Sequence, residues 1–542
     1  MEEINTKVQQ ALDSALDQVT GLKLFKSETY AINPESLKDP TIGPEMVRQP
    51  ARSKGLGIRK VDDFVGHAAF VGGIDIVVRR LIDHKAEDGS KVPGLYPLLE
   101  DMFGEGSQDY GNAENRFVKF IDGSSTLGEH FLQSIRVLKA QCPGAEDGPL
   151  SMPEHEIRPV NSNNPKLQAE ITAQIEAHRA KDLKKRHEDL DPEDRRRISY
   201  QNRLPSTFSI VTTPPTKATM VPKYLYTGVI ALLMGAIDPT ILAARNARIG
   251  NTNLRVDLHG DALGAAVLPG DRWRRAHDIF KMLIYQDMKF LGVIAQMEVY
   301  GVVKRFFDVE GKDKYDSLSN REKKLQTIVP DIVTSNHPEG SPISANGDQM
   351  WELKRIHSLT SFNCQGAPKG LNEYYGQRQS ATFQRAADQR AKKVPNEYGA
   401  KAKNADKNFG APGSSAVQEA LKAMPQVRGI ALGAFGEFSD STNLLIDGLA
   451  HEGALKKSDK FGQSKYKAAY GVIHWWLKRR WARLAAITAI GVRYEALRYT
   501  GGSAQQQAAA AHEKAQVQDE WRDQSAYFQR EAEASAPFFP IF

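Results

Sequence analysis

Between Leu254 and Phe438 the hydrophobic period of the chain changes several times, and that ordering constrains the fold more than any other feature. LPGDRWRRAHDIFKMLIYQDMKFLG starts with Pro269, Gly270 and Asp271, a helix-start signal. It then places Trp273, Ala276, Phe280, Leu283 and Ile284 on one stripe, which predicts an amphipathic helix. GVIAQMEVYGVVKRFF, LQTIVPDIVTS and QMWELKRIH follow as three runs rich in β-branched and aromatic residues, the expected strands, with KDKYDSLSNREKK as a charged turn between the first two. QRQSATFQRAADQRAKKVPNEYGAKAKNADKNF reads as helix with Pro395 as a break, and VRGIALGAFGEF as a glycine-rich final strand. The order helix, three strands, helix, strand predicts a mixed α/β domain.

A chain of 542 residues is too long for one ordinary core, so this domain is expected to have neighbours. We divide it into a mainly helical N-terminal region without assigned role (1–160), a charged helical linker and connecting segment (161–253), the α/β domain (254–440) and a helical C-terminal region with a basic, aromatic helix and a tail (441–542). At 41% hydrophobic and 25% charged residues, the composition excludes collagen-like and wholly disordered classes. The formal charge of +6 is compatible with a polyanionic partner without requiring one. Cys142 and Cys364 have no CxxC partner, so neither a disulfide framework nor a cysteine-based zinc site is expected, and a reducing compartment is. The first residues lack a secretory pattern, and the most apolar late segment is interrupted by Lys478, Arg479, Arg480 and Arg483. The expectation is an intracellular protein without a membrane span.

Outside the α/β domain the signals are plainer. GSSTLGEHFLQSIRVLKA reads as a capped helix. SKGLGIRKVDDFVGH looks like a helix-hairpin-helix that grips DNA phosphates, although a loop leading into a helix is the favoured reading. The alternating charges from Asn161 to Arg203 imply a solvated helix or linker, ahead of an import or nucleic-acid role for KKR and RRR. Trp475, Trp476 and Trp481 stand among arginines, where inward packing with snorkelling basic chains is favoured over direct binding. Arg479 and Arg480 are retained as candidate nucleic-acid contacts. The closing PFFPIF is expected to dock on the body of the protein.

The chemistry concentrates at PDIVTSNHPEGSPISANGDQMWELK. Alternation on a strand projects Glu352 and Lys354 from one face and Trp351 and Leu353 from the other. If the preceding strand lies alongside, Asp331 faces Glu352. Two close carboxylates repel unless a cation sits between them, and oxygen ligands suit Mg²⁺ or Mn²⁺. The Leu353 carbonyl is a further candidate ligand, and Glu298 in QMEVY is the acid best placed to add a contact; His277 and Asp278 on the first helix are weaker candidates. Such a metal acidifies a bound water and stabilises charge on a phosphoryl oxygen. An ordinary lysine, with pKa about 10.4, is a poor base at neutral pH. Lys354 is therefore assigned to orienting the nucleophile and stabilising the transition state.

Pro330 and Asp331, followed by Glu352 to Lys354 as ELK, resemble the PD-(D/E)XK nuclease superfamily, and the surrounding element order is similar to that family's restriction-endonuclease-like α-β-β-β-α-β core. The resemblance covers about a third of the chain. It implies metal-dependent hydrolysis of DNA, less often RNA, with Asp331, Glu352 and Lys354 as the active triad. Glu298 would correspond to an upstream acid that many members carry, and Gln384, Arg385 or Arg390 to an assisting polar residue on the following helix. LHGDALGAAVLPGDRWRRAHD, the ELK segment and ALGAFGEFSDSTNLLIDGLA together also look like the C-terminal halves of reading frames in eukaryotic mobile elements. No YxDD-like polymerase motif or GxxxxGK[ST] loop is present. The leading expectation is a Mg²⁺- or Mn²⁺-dependent nuclease acting on DNA ahead of RNA. The alternative is a non-catalytic nucleic-acid-binding or capsid-like scaffold protein of a mobile element or virus.

Overall fold

The computed structural model describes residues 2–30, 39–49, 64–81, 84–85, 91–92, 126–153, 167–189, 220–268, 272–335, 349–355, 379–424, 427–457 and 465–500. The glycine-rich SKGLGIRK stretch, the RRR cluster, Cys364 and PFFPIF lie outside these residues. The chain divides into two compact units, one of residues 1–27 and 38–190, the other of residues 28–37 and 191–542.

Among the described residues, the regular structure of the first unit is helical apart from a short antiparallel pairing of β1 (His84–Lys85) with β2 (Lys91–Val92). Its helices are α1 (Glu2–Thr20), α2 (Ile42–Arg48), α3 (Gly66–Leu81), α4 (Thr126–Ala140) and α5 (Leu167–Glu188). Phe131, Ile135 and Leu138 on α4 recur at helical spacing, as do Leu167, Ile171 and Ile175 on α5, and all are buried against Phe64 and Val71. The charge-dense segment that reads as a solvated helix or linker therefore contributes one wall of this core. Its arginine in KKR is structural: Arg186 donates to Asp39 Oδ2 (2.8 Å), Glu45 Oε2 (2.6 Å) and Thr41 Oγ1 (2.6 Å).

The second unit is mostly helical around a four-stranded mixed sheet. Ahead of the sheet come α6 (Lys223–Met234), the short α7 (Pro239–Leu242) and α8 (Asp261–Ala265), and α9 (Arg272–Phe290). The strands are β3 (Ile294–Met297), β4 (Ile332–Ser335), β5 (Gln349–Arg355) and β6 (Val427–Leu432), in spatial order 3-4-5-6. β3, β4 and β5 are antiparallel neighbours, whereas β6 runs parallel to β5. A parallel return needs a crossover, supplied by α12 (Gln379–Lys392), α13 (Val394–Phe409) and α14 (Ala416–Ala423). α15 (Asp440–Lys457) and α16 (Lys465–Leu497) complete the unit.

Two expectations need correction in detail. GVIAQMEVYGVVKRFF is a strand only over Ile294–Met297, and its later part forms a 3-10 turn at Lys304–Phe306. The charged turn is two helices, α10 (Val309–Ser317) and α11 (Asn320–Gln326). Asp308 caps the first through Gly311 N, and a reciprocal Ser319–Glu322 capping box opens the second. The break expected at Pro395 falls between α12 and α13, where proline occupies the tolerated first turn of α13.

Met350 of β5 packs with Val394, Tyr398, Ala402 and Phe409 of α13, so one sheet face is covered by the crossover. Trp351, fully buried, projects to the opposite face and donates from Nε1 to Thr334 Oγ1 at 3.0 Å. Gly429 allows the crossover to approach this closely: a Cβ there would lie 2.7 Å from the Ala391 backbone. Trp481 of α16 is also fully buried and donates to Asp287 Oδ2 on α9 at 2.8 Å, which ties the last helix to the helix before the sheet. No helix among the described residues is long and apolar enough to cross a membrane.

Candidate functional site

The register of the sheet brings three acids into one row. Met297 pairs with Ile332 and Ile332 with Trp351, so the next step along the ladders sets Glu298 beside Asp331 and Asp331 beside Glu352. The Glu298 amide donates to the Asp331 carbonyl at 3.0 Å, carrying the β3–β4 ladder through this step. Directly opposed residues of an antiparallel pair lie on one face, with Cβ atoms about 4.5–5.5 Å apart. Asp331 is 1% exposed and Glu352 5%, so both carboxylates have left bulk water and need partners.

Asp331 divides its two oxygens. Oδ2 accepts the Leu353 amide at 2.9 Å and lies 3.2 Å from His277 Nε2. The same His277 nitrogen is 3.3 Å from the Leu353 carbonyl oxygen. Oδ1 faces two ammonium groups, Lys324 Nζ at 3.3 Å and Lys281 Nζ at 3.9 Å. Burial alone would raise the Asp331 pKa, but His277, Lys324 and Lys281 hold it well below the ordinary carboxylate value. Burial likewise opposes charge on His277, yet its bonds to Asp278 and Asp331 raise it to about 9.

Glu298 receives Lys281 on Oε1, Lys324 on the same oxygen at 3.0 Å, and the Tyr300 hydroxyl on Oε2 at 3.1 Å. Against the cost of burial, the two lysines lower its pKa to about 2. Its φ of 47° is left-handed, a conformation costing a non-glycine residue about 1–3 kcal/mol. This turn takes the chain out of β3 and sets the Glu298 carboxylate between the lysines.

Glu352 accepts the Tyr398 hydroxyl on Oε2 at 2.7 Å and Lys354 Nζ on Oε1 at 2.9 Å. Lys354 also lies 3.3 Å from Glu397, which binds Arg390 at 2.6 Å. Burial first, and the Glu352 charge second, push the Tyr398 phenol well above its ordinary pKa, so it stays protonated as a donor.

Asp331, Glu352, the Leu353 carbonyl and Lys354 are thus gathered on adjoining strands. Glu298 is gathered too, with Oε1 bonded to Lys281 and Lys324 and Oε2 to the Tyr300 hydroxyl. Arg390 serves Glu397; Arg385 is exposed on α12, and the side chain of Gln384 lies outside the described residues. Arg480 pairs with the buried Asp287 at 3.2 Å, and Arg479 lies over the Trp475 ring at 4.1 Å. Their charge is thus engaged within the unit. Three residues passed over or given less weight in the sequence now stand at the centre: His277, Lys281 and Lys324. The first two lie one turn apart on the polar side of α9, and the S-x-x-E box at Ser319 marks the helix that delivers Lys324.

Among the described residues no group of three His, Cys, Asp or Glu side chains is disposed to hold a metal ion. One pair of oxygen donors nevertheless converges. Asp331 Oδ2 and the Leu353 carbonyl share a single neighbour, the His277 nitrogen, and Glu352 is the next carboxylate along the row. A hard divalent cation suits these oxygens. The donor types suit one such ion; Glu352, whose oxygens are bonded to Tyr398 and Lys354, would have to give up one of those contacts to join it. Compared with family models and with curated proteins, the chain finds no match.

Proposed function

We propose that the second unit is a metal-dependent nuclease with a restriction-endonuclease-like core, hydrolysing phosphodiester bonds of DNA ahead of RNA. The observation that carries this reading is that Asp331, immediately before β4, bonds the Leu353 amide of β5 through its carboxylate, next to Glu352 and with Lys354 two residues on from Glu352. The order α9, β3, β4, β5, crossover helices, β6 supports it.

Asp331, the Leu353 carbonyl and Glu352 would hold one Mg²⁺ or Mn²⁺, which when bound supplies Lewis-acid charge and a more acidic water. The chain's own groups do the rest. Tyr398 fixes the Glu352 carboxylate through its Oε2, leaving Oε1 as the oxygen that Lys354 and an ion compete for. Lys354, released from Glu352, presents an ammonium to an attacking water or a phosphoryl oxygen. Lys281 and Lys324 keep Asp331 ionised, and the Leu353 amide orients it.

The test is cleavage of plasmid and single-stranded substrates with Mg²⁺, Mn²⁺ or EDTA, comparing wild type with Asp331→Ala and Lys354→Ala. Metal-dependent cutting lost in both variants supports the proposal, and equal background in all three overturns it. A second reading, nucleic-acid binding without cutting, is favoured by the engagement of both Glu352 oxygens. It predicts salt-sensitive binding that survives both substitutions.

A further inference from the structure

Asp331 is a bridging carboxylate with a different cationic neighbourhood on each oxygen. On the Oδ2 side lie the Leu353 carbonyl and one imidazole nitrogen. On the Oδ1 side lie Glu298 Oε1 and the ammoniums of Lys281 and Lys324. A carboxylate shared in this way is how two-metal centres hold ions about 3.5–4 Å apart. Here the Oδ1 side is supplied by two ammonium groups that also hold Glu298, and the Oδ2 side by the single His277 imidazole.

We infer that Lys281 and Lys324 permanently fill the second cation position between Glu298 and Asp331, so that this centre takes one divalent ion and uses two ammonium groups in place of another. The inference rests on the nuclease reading and specifies the cation content of that same site. Two carboxylates facing two ammoniums are neutral as a set, so little field is left to draw a further ion. Nor are the amines free to leave. The Lys281 side chain is only 5% exposed and is also held by Asp278 at 3.1 Å, and displacing it would strand a buried charge. Lys324 arrives from a different helix, anchored by its own capping box. Lys281 shares Asp278 Oδ1 with His277 Nδ1, which lies 3.3 Å from it, but the contact an ion at Asp331 Oδ2 and Leu353 displaces is the one at Nε2, so both ammoniums stay in place. Asp331, one carboxylate oxygen committed to each side, is then charge-balanced throughout.

The consequence for the chemistry is that charge developing on the side away from the metal meets N–H donors rather than a second Lewis acid. An ammonium offers three rotatable donors and needs no loading from solution. The requirement for metal should accordingly be first order in the ion.

The experiment is calorimetric titration of Mn²⁺ alone into the full-length protein and into Lys281→Met/Lys324→Met, without nucleic acid. Wild type is expected to take up one ion per chain and the double variant two, because Glu298 and Asp331 then lack their ammonium counter-charges. Circular dichroism and urea unfolding report whether the double variant folds; if it does not, Lys324→Met, at the more exposed lysine, is expected to gain a weaker second uptake. Two ions in wild type, or unchanged stoichiometry in a folded variant, overturns the inference and leaves the nuclease reading standing. No uptake by wild type overturns the inference as well, and together with absent metal-dependent cleavage it removes the nuclease reading.

Discussion

Arg186 in the first unit and Asp331 in the second each sit at the centre of a knot of opposite charges, and the two knots are built the other way round. Around Arg186 one cation gathers Asp39, Glu45 and the Thr41 hydroxyl, with side chains 21–41% exposed at its charged members. Around Asp331 one carboxylate, 1% exposed, gathers His277, Lys281 and Lys324. The first is an arginine fork matching acids at a partly wet surface, a device for joining α5 to α2 and the residues before it. The second collects three cations about a dry acid and continues through Glu352 to Lys354. Glu298 and Asp278 supply the further negative charge that balances these cations, so the second knot is held by a network of three acids and three bases rather than by one fork.

Removing the central residue should separate the two most strongly. Asp331→Ala removes from a buried space the acid that His277, Lys281 and Lys324 share, leaving them only Glu298 and Asp278, and should cost about 3–5 kcal/mol of stability in the second unit. All six tryptophans lie in that unit, so urea unfolding followed by fluorescence reads it alone. A loss under about 1 kcal/mol would mean that the knot is far wetter than its geometry.

Next in size is the response to pH. Glu298 and Asp278 are held at about 2, so their contribution is present above the ordinary carboxylate range and is lost as pH falls from about 4.5 towards about 2. His277 is raised to about 9, so its contribution is full below the free-histidine value of about 6.5 and is lost as pH climbs through about 9. Asp39, held low by Thr41 and Arg186 against burial, gives the first unit an acid-side loss. The expected outcome is that fluorescence-detected stability falls on both sides of neutrality, and that His277→Gln abolishes the alkaline loss. An alkaline limb unchanged in that variant would assign the titration to another group.

Smaller effects sharpen the contrast. Tyr398→Phe removes one donor from buried Glu352, and should cost about 1 kcal/mol by the same fluorescence measurement. Arg186→Met should cost under about 1 kcal/mol, since its pairs are screened by water. That loss belongs to the first unit, and would be seen by amide hydrogen exchange in α2 and α5 with the tryptophan signal unmoved.

The bond between Glu352 and Lys354 was legible because it is local: alternation on a strand sets residues two apart on one face. The order of elements was legible for the same reason, each helix or strand announcing itself by period. What escaped notice depends on other levels. KDKYDSLSNREKK reads as a turn on charge alone, although Ser319 and Glu322 carry the box that starts a helix. Lys281 and Lys324 are common surface residues by composition, and only the packing of α9 and α11 at one end of the sheet gives them Glu298 to hold. Similarly, the alternating charges of α5 conceal Leu167, Ile171 and Ile175, spaced to bury a single narrow stripe.

The single parallel pairing in the sheet has a consequence for biosynthesis. β3, β4 and β5 lie close together in sequence and can assemble as soon as they emerge, whereas β6 begins at Val427, after three intervening helices. A growing polypeptide that has passed Arg355 but not yet reached Val427 therefore carries a bare β5 edge, open to the wrong neighbour. For that interval the ladder groups on one side of β5 stay unpaired, and the last part of the sheet closes only when Val427 to Leu432 have been made.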